Sequence, residues 1–412
     1  MRKSNFFYSL PRREIILYPG AFSDIRKNLF FLRKHHKKYV DVFERKFAQY
    51  IGVKYALSVG SGRIGLVTIL RVLNLKDKDE VILSAYNFPQ LIVLIASLGL
   101  KPILVDIDKG TLGMNIKDLE KKITKKTRVI IVTHFFGQVA NIEEINNVAK
   151  RYGIFLIEDC AHSCGAEYNF KKVGSIGDAN FFSFSLTKNI NTFLGGMITT
   201  NNRSLFMEMR KRVSKYKELS NFLLMKESIK GIIAKFLLNR KVYSFTVWPL
   251  IYLTNLFSPE LDFLRIRRYL RFKGKEISDG DFKLSDLQAF IGLRQLEFLD
   301  IVNQKRVEKV EKLKSLLKPS IKSQEILPNT KPIYLFLLLI AKNREKAIKK
   351  LISKGIDVDM GFMRNCAFLI NEKGHYPFSE WMESNSFLIR LRHSIPIQDI
   401  CRIADILNNA LS

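Results

Sequence analysis

From about residue 40 to residue 200, short apolar runs alternate with amphipathic stretches. Residues 81–83, 103–105, 129–132 and 155–157 each read as a buried strand, closed by Ser84, Asp106, Thr133 or Glu158. Between them, residues 91–98 and 142–152 carry the apolar spacing of helices. This alternation predicts an α/β fold with a mostly parallel central sheet and helices on both faces. In such sheets ligands sit beyond the carboxyl ends of the strands, so the residues there are the ones to examine.

Residues 201–275 break the rhythm. Phe222, Met225, Ile229, Ile232, Ile233 and Phe236 share one helical face, with Lys226, Lys230 and Lys235 elsewhere around it. Residues 242–257 are strongly apolar but contain Pro249, and are shorter than the roughly 20 residues that span a bilayer as a helix. Two readings stay open. The stretch is an insertion packed on its own domain or on a second subunit, or it lies in a membrane interface. From Leu284 the chain is helical again, with Leu287, Ile291, Phe298 and Val302 on a face that Gln295 interrupts. A βα pattern follows, with residues 333–340 as its strand. The expected division is a large domain with an N-terminal arm over 1–200, an atypical insertion over 201–275, and a connecting helix with a small C-terminal α/β domain over 276–412.

Composition changes this picture little. At 412 residues, 47% apolar and 26% charged, the chain is an ordinary globular protein, not a disordered, collagen-like or disulfide-built one. Four cysteines cannot staple a chain this long, and no apolar signal core follows Met1-Arg2-Lys3-Ser4, so a reducing, cytoplasmic setting is expected. Charge does matter: 68 Lys and Arg against 39 Asp and Glu leave +29. A balance that basic suits an anionic partner. The basic residues are scattered in short groups, without the interleaved basic and aromatic motif of an RNA-binding sheet. A phosphorylated substrate is expected, and nucleic acid is not.

Four features carry candidate chemistry. The turn Gly60-Ser61-Gly62-Arg63 opens an apolar helix, whose free N–H groups and positive dipole end suit a phosphate, although such turns also serve as plain loop closures. Asp159 follows a strand, where it either faces the ligand crevice or caps a helix. Lys188 ends the sheltered, hydroxyl-rich segment that begins near Ser183; burial there would lower its pKa and free the amine to attack a carbonyl. Phe88 offers a flat face near another strand end, or a core contact. Together they supply a phosphate cradle, a stacking surface, an anion and a carbonyl-reactive lysine, the parts needed to hold pyridoxal phosphate.

The segments Val42-Phe43-Glu44, Ser61-Gly62, His134-Phe135-Phe136-Gly137-Gln138 and Ile157-Glu158-Asp159-Cys160-Ala161-His162 extend the pattern. Gly174-Ser175-Ile176-Gly177-Asp178-Ala179, Ser183-Phe184-Ser185-Leu186-Thr187-Lys188-Asn189 and Leu284-Ser285-Asp286-Leu287-Gln288-Ala289 continue it. With these the chain resembles the DegT/DnrJ/EryC1/StrS family of sugar aminotransferases, of the fold type I architecture. The resemblance implies that Lys188 carries the cofactor's aldehyde and shuttles the proton, that Asp159 pairs with the pyridine nitrogen, and that Phe88 stacks on the ring. His162 then sits near the phenolic oxygen, and Ser183 with Ser61, Gly62 and Arg63 contacts the phosphate. Asp281 stands where the family commonly has an Asn that reaches the phosphate from the partner subunit, and Arg63 stands where it has Thr. The resemblance also implies a homodimer with shared active sites, glutamate as amino donor, and a nucleotide-linked keto-sugar as acceptor, in surface polysaccharide or glycan synthesis. A second reading is a non-catalytic or weakly active relative that docks on a membrane or glycan-assembly complex through residues 218–257. Cys160, His162 and Cys164 lie close together, but a structural metal site wants four ligands, and no metal is expected. For His134, support of the strand end and chemistry stand as equal alternatives.

Overall fold

The computed structural model describes residues 9–24, 38–257, 281–360, 362–370 and 374–411. Its centre is a seven-stranded sheet in the spatial order Tyr55–Val59, Gly196–Thr200, Ala179–Ser183, Phe155–Asp159, Thr127–Thr133, Glu80–Ser84, Lys101–Val105. Only Gly196–Thr200 runs antiparallel to its neighbours. The strand residues are Val- and Ile-rich and buried on both faces, as a helix-covered parallel sheet requires. Alternation divides them: Ile82, Ile130, Val132 and Leu156 enter one core, while Val81, Leu83, Val129, Ile131 and Ile157 enter the other. On the first face Phe43, Phe47 and Ile51 of helix Lys38–Ile51 pack; on the second, helices Gly62–Val72 and Pro89–Ser97 contribute Leu66, Ile69, Leu91 and Ile95.

Helix Asp286–Leu316 runs from this sheet to the C-terminal elements. Its start is fixed by a reciprocal cap in which Ser285 accepts from the Gln288 N–H and the Gln288 side chain accepts in return. Gln295, the polar break in its apolar face, is buried because it pairs with the Asn191 backbone, whose N–H it accepts at 3.1 Å. The C-terminal elements are an antiparallel pair, Leu337–Ile340 with Ser386–Ile389, covered by helices Arg344–Ser353 and Ile397–Ala410. The expected strand over 333–340 is therefore shorter. Ile333 and Phe336 instead donate their N–H groups to Gly137 (2.8 Å) and Phe136 (3.1 Å), and Tyr334 takes a positive φ of 43° that no strand residue adopts.

The insertion is a pair of helices, Asn221–Leu237 and Arg240–Phe257, with Pro249 inside the second. Leu224, Ser228 and Gly231 face inward, Gly231 so tightly that an added Cβ would lie 2.5 Å from the Phe193 ring. Tyr243 donates to Asp357 at 2.5 Å. The stripe from Phe222 to Phe236 faces outward. Packing of the insertion on its own chain therefore uses the side opposite the one that the apolar spacing marks. Among the described residues, no helix is long and apolar enough to cross a membrane.

Candidate active site

Asp159 is the last residue of its strand rather than the first after it. It is 6% exposed; its Oδ1 accepts from the Ala161 N–H at 2.9 Å, and Oδ2 has no partner among the described residues. Burial pushes its pKa up, against the Ala161 bond and the charge of Lys188. Lys188 follows strand Ala179–Ser183 in a turn closed by its own N–H on Ser185 O at 2.9 Å. Burial lowers its pKa to about 7; Asp159 opposes the shift and Arg390 adds to it. Both sides of the lysine are pinned. Arg390 Nη1 donates to Thr187 O at 2.7 Å, and Asn189 donates to Cys164 O at 3.3 Å and to Asn303 at 3.2 Å.

The Ser61 turn is built by close approach. Ser61 caps helix Gly62–Val72, accepting from the Ile64 N–H at 3.2 Å. A Cβ on Gly196 would lie 2.6 Å from the Ser61 carbonyl carbon, so only glycine lets its strand meet this turn. Gly62 likewise brings Ser183 against the helix start, where a Cβ would stand 3.1 Å from that of Ser183. Arg63 is turned to Gln90 at 3.2 Å.

Aromatic side chains wall the site. The His162 ring lies parallel to Phe136 at 6.1 Å and edge-on to Phe362 at 5.2 Å. Phe88, at the start of helix Pro89–Ser97, meets Phe362 at 6.4 Å, and Phe336 meets it at 5.7 Å. Burial, helped by Lys188 and Arg390, holds His162 neutral with a pKa well below the usual range. Its Nδ1 is buried with no partner among the described residues. Phe336, Phe362 and Arg390 escaped the sequence reading. They come from the C-terminal elements, where no local motif marks them. The signal available was only a buried-type strand, Ser386–Ile389, ending in an arginine.

Asp281 lies beside the Ser61 turn, since the adjacent Phe282 carbonyl accepts from Gly60 N–H at 2.9 Å. Its carboxylate, however, pairs with Arg71 at 2.6 Å, at the far end of the helix from Ser61. His134 serves the strand end. Its Nε2 meets Glu158 at 3.0 Å, and its Nδ1 accepts from Ala140 N–H at 3.1 Å. Glu158 also takes the N–H groups of Gly174, Ile176 and Gly177 at 2.7–2.9 Å. The potential ligand atoms of His134, Glu158 and Cys160 lie within 4.8 Å of one another, but hydrogen bonds fill the first two, and burial holds the Cys160 thiol protonated. This is a structural joint.

A carbonyl-reactive lysine and a buried acid at the strand ends of this sheet define a pyridoxal-phosphate-dependent transferase of fold type I. The chain belongs to the DegT/DnrJ/EryC1/StrS aminotransferase family, whose model matches residues 31–222 and 267–408. It is 30% identical over 391 residues to an uncharacterized protein of Methanocaldococcus jannaschii, covering 90% of this chain and 89% of that one. It is 42% identical over 167 residues to the dTDP-3-amino-3,6-dideoxy-alpha-D-galactopyranose transaminase of Aneurinibacillus thermoaerophilus, covering 40% of this chain and 46% of that enzyme. With the GDP-perosamine synthase of Escherichia coli O157:H7 it shares 39% over 168 residues, 41% of this chain and 46% of the synthase. The aligned part thus spans less than half the length of these two named enzymes. Among solved structures, Helicobacter pylori PseC, an aminotransferase of pseudoaminic acid biosynthesis, has the same fold, with a TM-score of 0.75, 19% identity, and coverage of 98% and 99% of the two chains. The residues present fit the family's cofactor. Asp159 Oδ2 and His162 Nδ1 are buried groups awaiting a polar partner, and the capped helix start offers N–H groups to a phosphate.

Proposed function

We propose that this aminotransferase moves an amino group from glutamate to a nucleotide-linked keto-sugar, in the synthesis of a surface polysaccharide or glycan. The observation that carries this reading is Lys188, held near neutrality opposite the buried Asp159. Pyridoxal phosphate, when bound, supplies an electron sink for the carbon that loses its proton. The Ser61–Gly62–Arg63 turn and Ser183 would hold its phosphate, Phe88 its ring face, His162 its phenolic oxygen, and Asp159 its protonated nitrogen. Asp281, neutralised by Arg71, lines the approach to the phosphate. Lys188 Nζ takes the proton from the donor's α-carbon and returns it across the site, which a pKa of about 7 allows in both directions. Phe136, Phe336 and Phe362 exclude water from this transfer.

The similarity to a dTDP-sugar transaminase and to perosamine synthases supports the acceptor class, and the +29 charge suits a diphosphate-bearing substrate. The working unit is a homodimer with shared sites. Within each chain, residues 1–200 hold the cofactor, 201–275 are an added module and 276–412 close the site. The enzyme works in the cytoplasm, in peripheral contact with a membrane through that module. The test is transfer of label from 15N-glutamate into a dTDP- or GDP-linked 3- or 4-keto-sugar, followed by mass spectrometry. Labelled amino-sugar that disappears in Lys188→Ala supports the reading. Absence of label with every keto-sugar, in protein that binds the cofactor, overturns the acceptor class.

A further inference from the structure

Ten of the nineteen exposed large apolar side chains among the described residues lie on the two insertion helices. On Asn221–Leu237, Phe222, Met225, Ile229, Ile233 and Phe236 recur at steps of three and four and so form one stripe. Phe222 is 70% and Phe236 64% exposed; on the second helix Phe245 and Leu250 are as open. These helices are not loosely attached. Their opposite sides are buried through Leu224, Ser228, Tyr243 and Ile251. The outward face is thus a fixed apolar surface on a docked element. The family match breaks off from residue 222 to residue 267, so the surface is an addition to the shared fold.

Cations border it. Lys226 and Lys230 stand exposed beside the stripe, and Lys241 on the second helix. After Phe257 the sequence goes on to place six Arg or Lys and no acid in residues 265–275. We propose that this face of the insertion rests on an anionic lipid surface, its aromatic and aliphatic side chains among the acyl chains and its lysines at the headgroups. The proposal rests on reading the insertion as the membrane contact and is independent of the amino-transfer chemistry. A second copy fits less well: a two-fold interface would set Lys226 and Lys230 against their own counterparts. A nucleic acid would engage the cations but leave Ile229 and Ile233 in water.

The test is flotation of the full chain with phosphatidylcholine vesicles, and with vesicles in which part of the lipid is replaced by phosphatidylglycerol. Binding to the anionic vesicles is expected, weakening by an order of magnitude or more on Lys226→Glu with Lys230→Glu, since each basic residue at such a surface contributes about a factor of five. Ile229→Asp with Phe236→Asp should abolish it while the protein still binds pyridoxal phosphate, which shows that it is folded. Trp248 emission should shift to the blue on binding. No flotation with anionic vesicles, or flotation that survives the Asp pair, overturns the proposal. Conversion of a dimer to monomers by the Asp pair, without vesicle binding by the wild type, overturns it in favour of a second copy.

Discussion

Arg390 donates from Nη1 to the carbonyl oxygen of Thr187, 2.7 Å away and one residue before Lys188. The arginine is buried, and beyond burial itself it is one of the influences that lower the lysine's pKa. Arg390 is a positioning residue with an electrostatic role. Removing its charge stabilises the protonated amine, so in Arg390→Gln the acid limb of the kcat–pH profile should move up by about one pH unit. Arg390→Lys should restore most of that shift. A purely structural role would lower kcat at every pH without moving the limb.

Glu158 should govern acid stability. It accepts four hydrogen bonds, and its pKa is lowered because His134 and the Gly174 and Gly177 N–H groups outweigh the cost of burial. A depressed folded pKa gives stability that is full above the unfolded carboxylate's pKa and lost as pH falls through the folded one. Glu158→Gln should flatten the loss of stability below about pH 4.5. Glu158→Ala strands buried partners and should cost about 3–5 kcal/mol. Denaturant titrations at several pH values give both.

The pair Arg71–Asp281 predicts a non-additive result. Both side chains are about a third exposed, so breaking the pair should change stability by less than about 1 kcal/mol. Pyridoxal-phosphate affinity should respond differently. Arg71→Ala frees the Asp281 carboxylate beside the phosphate turn and should weaken binding several-fold, whereas Asp281→Asn should change it little. The double variant should recover the wild-type affinity. Equilibrium dialysis on the four proteins reads this directly.

Phe88 should contribute through its ring face. Phe88→Ala should raise the dissociation constant of the cofactor by roughly 2–10-fold, the size of a lost aromatic contact, and Phe88→Tyr should not. The same dialysis measures it.

Much of this was legible before any coordinates. The strands declare themselves because a doubly covered parallel sheet needs continuous Val and Ile runs, and the turn, Asp159 and Lys188 stand at the ends of such runs. Phe362 and Arg390 were not legible, because they reach the site by tertiary return of elements with no motif of their own. The stripe from Phe222 to Phe236 was legible as a face, but periodicity cannot say whether a face looks inward. Gln295 shows the converse: a polar residue on an apolar stripe is buried because Asn191 satisfies it.

The most direct measurement is reduction of the cofactor-loaded protein with borohydride, followed by peptide mapping. Reduction fixes pyridoxal phosphate to the amine that carries it. The mass increase is expected on the peptide containing Lys188 and on no other, with glutamate added beforehand preventing the labelling. Labelling of a different lysine, or of none in protein that retains the cofactor, would contradict the assignment of Lys188.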